Sequence, residues 1–139
     1  IPGVPRDPKA ARAHVAGIRS AIPTEVTVGV SGDAFGAVGL VAGCDAWYSA
    51  VAGTLPAPAV RITRSSQDSD FEAATAESVR LAPLWDLFAE FGGSLRVIAA
   101  VAEHLGLAPS RCLPLPILGL DEDQRRRVAA VVEELDVRG

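Results

Sequence analysis

Val26-Thr27-Val28-Gly29-Val30-Ser31-Gly32-Asp33 is the stretch whose reading decides the fold. Valine at every second position, with only Thr27 and Gly29 between, predicts a strand over residues 26–30. A strand this apolar suits a parallel sheet covered on both sides. Ser31-Gly32-Asp33 supplies a small-residue turn, and Asp33 is placed to cap a short Gly/Ala helix over 34–42. After Gly43-Cys44-Asp45, the run Ala46-Trp47-Tyr48-Ser49-Ala50-Val51 predicts a second strand. Strand, helix and strand so close together predict a parallel βαβ unit. Its strand ends present Ser31, Gly32 and Asp33 on one strand and Tyr48 and Ser49 on the other.

Working outward, Asp7-Pro8 is a helix start, with Asp as N-cap and Pro at the first helical position. Ala11, Val15, Ile18 and Ile22 then form one apolar face until Pro23 ends the helix. Past the second strand, Gly53-Thr54-Leu55-Pro56 opens a helix to about Ser66. The remainder reads as helical. Asp68-Ser69-Asp70 begins a long helix through Ala82, Trp85 and Phe88, bent at Pro83. Gly92-Gly93 breaks it. Ser94 is placed to cap a helix over 95–107 with Leu95, Ile98, Ala102 and Leu105 on one face. A proline-rich connector covers 109–119, and Asp121 with Gln124 forms a capping box. The last helix turns Val128, Val131, Val132 and Leu135 inward. The expected division is βα units over 1–66 and a helical region over 67–139.

Composition bounds the function. Of 139 residues, 49% are hydrophobic and 22% charged, with a net charge of −4. That is enough for the core of one domain or of part of a larger one. Lacking a basic stripe and poor in aromatics, the chain is not expected to bind nucleic acid. Its acidity gives little attraction to an anionic membrane, and Asp45 and Ser49 interrupt the only run near bilayer length. Cys44 and Cys112 lie far apart with no CxxC or Cys/His cluster, so no zinc or other metal site is expected. Both read as reduced core thiols of a cytoplasmic protein. His14 and His104 read as surface or helix–helix histidines, Trp47 as core, Asp45 as a turn residue, and the run Arg125-Arg126-Arg127 as a solvated face. There is no methionine, and Lys9 is the single lysine. Ile1-Pro2-Gly3-Val4-Pro5 resembles a loop entered from upstream, so the chain reads as the C-terminal part of a longer protein.

Ser31-Gly32-Asp33, then 43–49, then Ala52-Gly53-Thr54-Leu55-Pro56 resemble, in order, the last two strands of the dihydrodipicolinate synthase / N-acetylneuraminate lyase family. Gly93 to Val97, Glu103 to Leu107 and Leu113-Pro114-Leu115-Pro116 extend the likeness over nearly the whole chain. The resemblance implies an α/β fold: the C-terminal part of a (β/α)8 TIM barrel followed by a C-terminal helical extension. It implies Schiff-base aldolase or lyase chemistry on pyruvate or another 2-oxo acid with an aldehyde-type partner. No metal or organic cofactor is implied, and the expected assembly is a homodimer or homotetramer.

The resemblance also makes Ser31, Gly32, Asp33, Tyr48 and Ser49 candidates for substrate binding, Tyr48 through its backbone carbonyl. Asp33 is alternatively a helix cap, and strand alternation turns only one of Tyr48 and Ser49 inward. No catalytic residue is expected in the chain itself. The family's Schiff-base lysine would fall either at Pro5, leaving an inactive protein, or immediately before Ile1. The second register is preferred, because a Pro/Gly-rich loop is a poor strand. Lys9 reads as a surface residue. The competing readings are a non-catalytic relative acting as a binding or scaffold protein, and an unrelated helical domain with one βαβ unit, which a structure lacking adjacent parallel strands at 26–30 and 46–50 would support.

Overall fold

The computed structural model describes residues 1–137. Helix α1 (Pro8–Ala21) starts as its sequence predicts: the Asp7 carboxyl accepts from the Ala10 amide at 2.8 Å. Pro8 fills a position that needs no donor. Ala11 and Val15 are buried, and Ile18 and Ile22 pack partly buried beside them.

Strands β1 (Gly29–Ser31) and β2 (Ala46–Tyr48) pair in parallel, with Gly29 opposite Ala46, Val30 opposite Trp47 and Ser31 opposite Tyr48. This pairing withholds the support that unpaired strands would have given the unrelated helical domain. Both strands are shorter than their apolar runs. Val26 is exposed in a turn closed on the Pro23 carbonyl, so regular pairing begins later. Val28 is held instead by Asp45, whose carboxyl accepts its amide at 2.8 Å and whose own amide donates back to the Val28 carbonyl. Asp45 thus does more than turn the chain. Arg19 donates to it at 2.5 Å and to the Gly43 carbonyl at 3.2 Å, locking α1 to the start of β2. The Arg19 bond, helped by the Val28 amide, holds the Asp45 carboxyl below the ordinary carboxylate range.

Between the strands lie a 3-10 turn (Asp33–Phe35) and α2 (Gly36–Val41). The glycines here permit close approach. A Cβ on Gly39 would sit 2.6 Å from Val30 Cγ1, and one on Gly36 2.5 Å from the Trp47 ring. Helix α2 therefore lies directly on one face of the sheet.

Helix α3 (Pro56–Gln67) follows, then α4 (Phe71–Arg80), α5 (Ala82–Glu90), α6 (Ser94–His104) and α7 (Glu122–Leu135). The single bent helix expected from 68 onward is two helices parted at Leu81. Asp70 caps the first, accepting from the Ala73 amide at 3.0 Å. Pro83 sits in the opening turn of the second, where its missing N–H costs nothing. Ser94 does not cap α6: Gly93 occupies that position with φ +125°, and no side chain bonds there. The inward face of α6 is also shifted from the expected one. Val97, Ala100 and Val101 are buried, whereas Leu95 is 54% exposed. Helix α7 carries the expected capping box, with Val128, Val132 and Leu135 buried and Val131 half-buried against them.

One continuous core joins Val51 and Leu55 after β2 to Ile62, Leu81, Leu84, Phe88, Val97, Val101, Val128 and Val132. Two surface expectations need correction. Cys44 is buried, with burial pushing its thiol pKa up, but Cys112 is exposed because no helix covers the 109–119 connector at that point. Arg125, Arg126 and Arg127 do not simply face solvent. Arg125 reaches Glu103 at 2.6 Å and Arg127 reaches Glu90 at 2.6 Å, while Arg126 pairs with Asp123. His104 is a helix–helix histidine, 2.8 Å from Glu133 of α7. Among the described residues, no helix is long and apolar enough to cross a membrane, and no group of three His, Cys, Asp or Glu is placed to hold a metal.

Candidate functional site at the strand ends

Side chains alternate across the two strands, so the sheet has two unlike faces. Val28, Val30 and Trp47 turn toward α1 and α2. Gly29, Ser31, Ala46 and Tyr48 occupy the opposite face, where the Tyr48 side chain lies 63% exposed.

The free edge of β1 carries a third piece of ladder. The Ile1 nitrogen donates to the Gly29 carbonyl at 2.6 Å, and the Ile1 carbonyl accepts from the Ser31 amide at 2.8 Å. One residue bonding to both neighbours of Val30 is the parallel pattern, which places Ile1 opposite Val30. Ile1 packs with the Val28–Val30 cluster on the helix-covered face. The chain then leaves the ladder at Gly3, whose φ is +136°, and Pro5 lies exposed in the loop before α1.

Beyond the strand ends, Gly32 has φ +88°, and a Cβ there would meet the Phe35 ring at 3.1 Å. The backbone alone therefore requires glycine. Asp33 is only 5% exposed and caps nothing. The residue at the N-cap position of the 3-10 turn is Gly32, without a side-chain bond. The Asp33 carboxyl turns inward instead: its Oδ1 accepts from Ser49 Oγ at 2.6 Å and, more weakly, from the Val51 amide at 3.4 Å. Ser49 Oγ in turn accepts from the Ala52 amide at 3.0 Å. A buried carboxyl thus organises the turn after β2.

Of the five candidates, Ser31 and Tyr48 stand side by side on the open face, Gly32 shapes the turn, and Asp33 and Ser49 are joined to each other. The Asp33–Ser49 bond is not among the expectations from sequence, although a signal for it exists. In a parallel pair, residues just past the paired ends are neighbours, and both positions carry hydrogen-bonding side chains. Asp33 also borders a groove of about 400 Å³ shared with Arg6, Phe35, Trp85 and Ser94. Lys9 is exposed on α1. Chemically, the open face offers a hydroxyl, a phenol and backbone carbonyls: groups that bind and orient an oxygen-rich small molecule.

No protein-family model and no curated protein matches the chain. Solved structures do. Dihydrodipicolinate synthase from Agrobacterium tumefaciens str. C58 is 40% identical with a TM-score of 0.84, covering 94% of this chain and 43% of that one. A putative dihydrodipicolinate synthetase from Pseudomonas aeruginosa is 25% identical with a TM-score of 0.77, covering 88% of this chain and 42% of its own. The Thermotoga maritima dihydrodipicolinate synthase shares the fold at 20% identity and a TM-score of 0.81, over 99% of this chain and 45% of that one. The chain spans less than half the length of each of these proteins.

Proposed function

We propose that this chain, which carries the C-terminal part of the dihydrodipicolinate synthase family's fold, forms one wall of the pocket of a Schiff-base aldolase or lyase acting on pyruvate or another 2-oxo acid. The observation that carries the reading is the likeness in sequence and fold to the Agrobacterium dihydrodipicolinate synthase, 40% identical over 94% of this chain. The reading takes the Schiff-base lysine from immediately before Ile1. Pro5, the other register, lies outside the ladder in an exposed loop.

Helices on one face of a parallel sheet and polar groups at its carboxyl strand ends also support closure into a (β/α)8 barrel. In that architecture the open face would be the interior. The reaction follows from the nucleophile. The neutral lysine amine attacks the C2 carbonyl of the 2-oxo acid, the carbonyl oxygen takes up a proton, and water leaves the carbinolamine to give a protonated imine. The imine nitrogen accepts the electron pair released when a C3 proton departs, giving an enamine. The enamine carbon then adds to an aldehyde or imine partner; cleavage is the reverse. The protonated imine is itself the electron sink, so this sequence calls for no metal or organic cofactor.

In this reading Ser31, Gly32 and the Tyr48 carbonyl border the 2-oxo acid. Ser49 and Asp33 hold the β2 turn and border the second substrate. The reading includes a cytoplasmic protein that assembles as a homodimer or homotetramer. It is tested by incubating the intact protein with pyruvate and borohydride and weighing it. A covalent pyruvate adduct is expected, and its absence contradicts the imine mechanism.

A further inference from the structure

We infer that the connector over residues 109–119 is a strap that closes onto α6 and seats Leu115 against it. The strap is held at its two ends and not between them. At its start, the Glu103 carboxylate of α6 accepts from the Arg111 amide at 2.7 Å. At its far end, Arg96 of α6 donates to the Leu118 and Gly119 carbonyls at 3.0 and 3.1 Å. Arg125 of α7 adds a bond to the Leu120 carbonyl at 3.0 Å. Over 112–117 the one hydrogen bond among the described residues is local, from the Ile117 amide to the Pro114 carbonyl at 3.0 Å. Pro114 and Pro116 have no amide to donate. The middle of the strap can therefore move while its ends stay fixed.

Between the strap and α6 lies a cavity of about 470 Å³. Ala99 and Ala100 line it on the helix side, where their small side chains leave the space open. Leu113, Leu115 and Ile117 line it from the strap. Protein interiors keep few voids larger than a water molecule. Here a largely apolar void stands beside a leucine that is 85% exposed. Leu115 belongs to the unheld stretch, so turning it inward breaks none of the bonds to Glu103, Arg96 or Arg125. Removing its side chain from water drives the closure. The occupant of the cavity is thus already part of its wall.

Two measurements on the intact protein test the closure, and neither depends on the reaction proposed above. The first combines Ala99→Cys and Leu115→Cys with Cys112→Ser, followed by mild oxidation and peptide mapping without reduction. A disulfide needs Cα atoms within about 7 Å, so a 99–115 bond inside one chain is expected only if the strap closes. The second is thermal unfolding of Leu115→Ala. Truncating a leucine that stays in water leaves the midpoint unchanged, whereas truncating a seated one lowers it by at least about 5 °C. The inference requires both the intrachain disulfide and the lowered midpoint. An unchanged midpoint means that the strap stays open and overturns it. A lowered midpoint without the disulfide, or with a disulfide joining two chains, means that something other than α6 covers Leu115, and overturns it equally.

Discussion

Replacing Asp33 separates a cap from an organiser of the β2 turn. As a helix cap, Asp33→Ala would cost about 1 kcal/mol. The structure demands more. The substitution removes the acceptor of the 2.6 Å Ser49 bond and of the weaker Val51 bond. Each hydrogen bond contributes about 1 kcal/mol net, and the Val51 amide left buried without a partner adds at least about 1 kcal/mol. The expected loss is therefore about 3 kcal/mol. At this chain length that lowers the thermal midpoint by about 9 °C, at about 3 °C per kcal/mol. Because both bonds end on Oδ1, Asp33→Asn keeps an acceptor for each and should cost no more than about 1 kcal/mol. In a double-mutant cycle followed by urea unfolding, Asp33→Ala and Ser49→Ala should couple by about 1 kcal/mol. A loss near 1 kcal/mol for Asp33→Ala, additive with Ser49→Ala, would refute the inward role of the carboxyl.

Two further perturbations test the packing and the electrostatics. A Cβ added at Gly17 in α1 would meet nothing within 4 Å, so Gly17→Ala should raise stability by about 1 kcal/mol through helix propensity. Gly39→Ala gains the same propensity but drives its methyl into buried Val30; overpacking of about 1–3 kcal/mol should make it neutral to destabilising in the same urea titration. Glu77 is held below its ordinary value of 4.5, first by the Arg80 guanidinium and then by Arg61, against an opposing contribution from burial. A lowered carboxylate contributes stability that is present above pH 4.5 and lost as the pH falls through the lowered value. The stability gap between the unmodified protein and Glu77→Gln should therefore be full at neutral pH and shrink below pH 4.5, measured by thermal unfolding across the acid range.

What was legible in the sequence follows the range of the forces involved. Asp7-Pro8 and Asp121 with Gln124 are local devices whose partners lie within one helical turn, and both form as read. The strands were legible as apolar runs, but their ends were not. Those ends depend on Asp45 reaching Val28 and Arg19, and on Asp33 reaching Ser49, across separations of 16 to 26 residues. Helix α6 shows the same limit. Its periodicity allowed more than one inward face, and packing against α5 and α7 chose Val97 and Val101 over Leu95. Cys112 reads as core because cysteine usually is, but only a covering element would bury it, and the connector has none there. The candidate site was legible as a set of strand-end residues. Its internal division was not: an exposed Ser31–Tyr48 pair on the open face, and buried Asp33 bonded to half-buried Ser49.

The central proposal is that an imine-forming lysine immediately before Ile1 works with the pocket wall carried by Ser31 and Tyr48. Its most direct test is peptide mapping of the intact protein after borohydride reduction in the presence of pyruvate. The account predicts a single modified lysine, the residue immediately before Ile1. Modification of Lys9 alone, or a preceding residue that is not lysine, would contradict it.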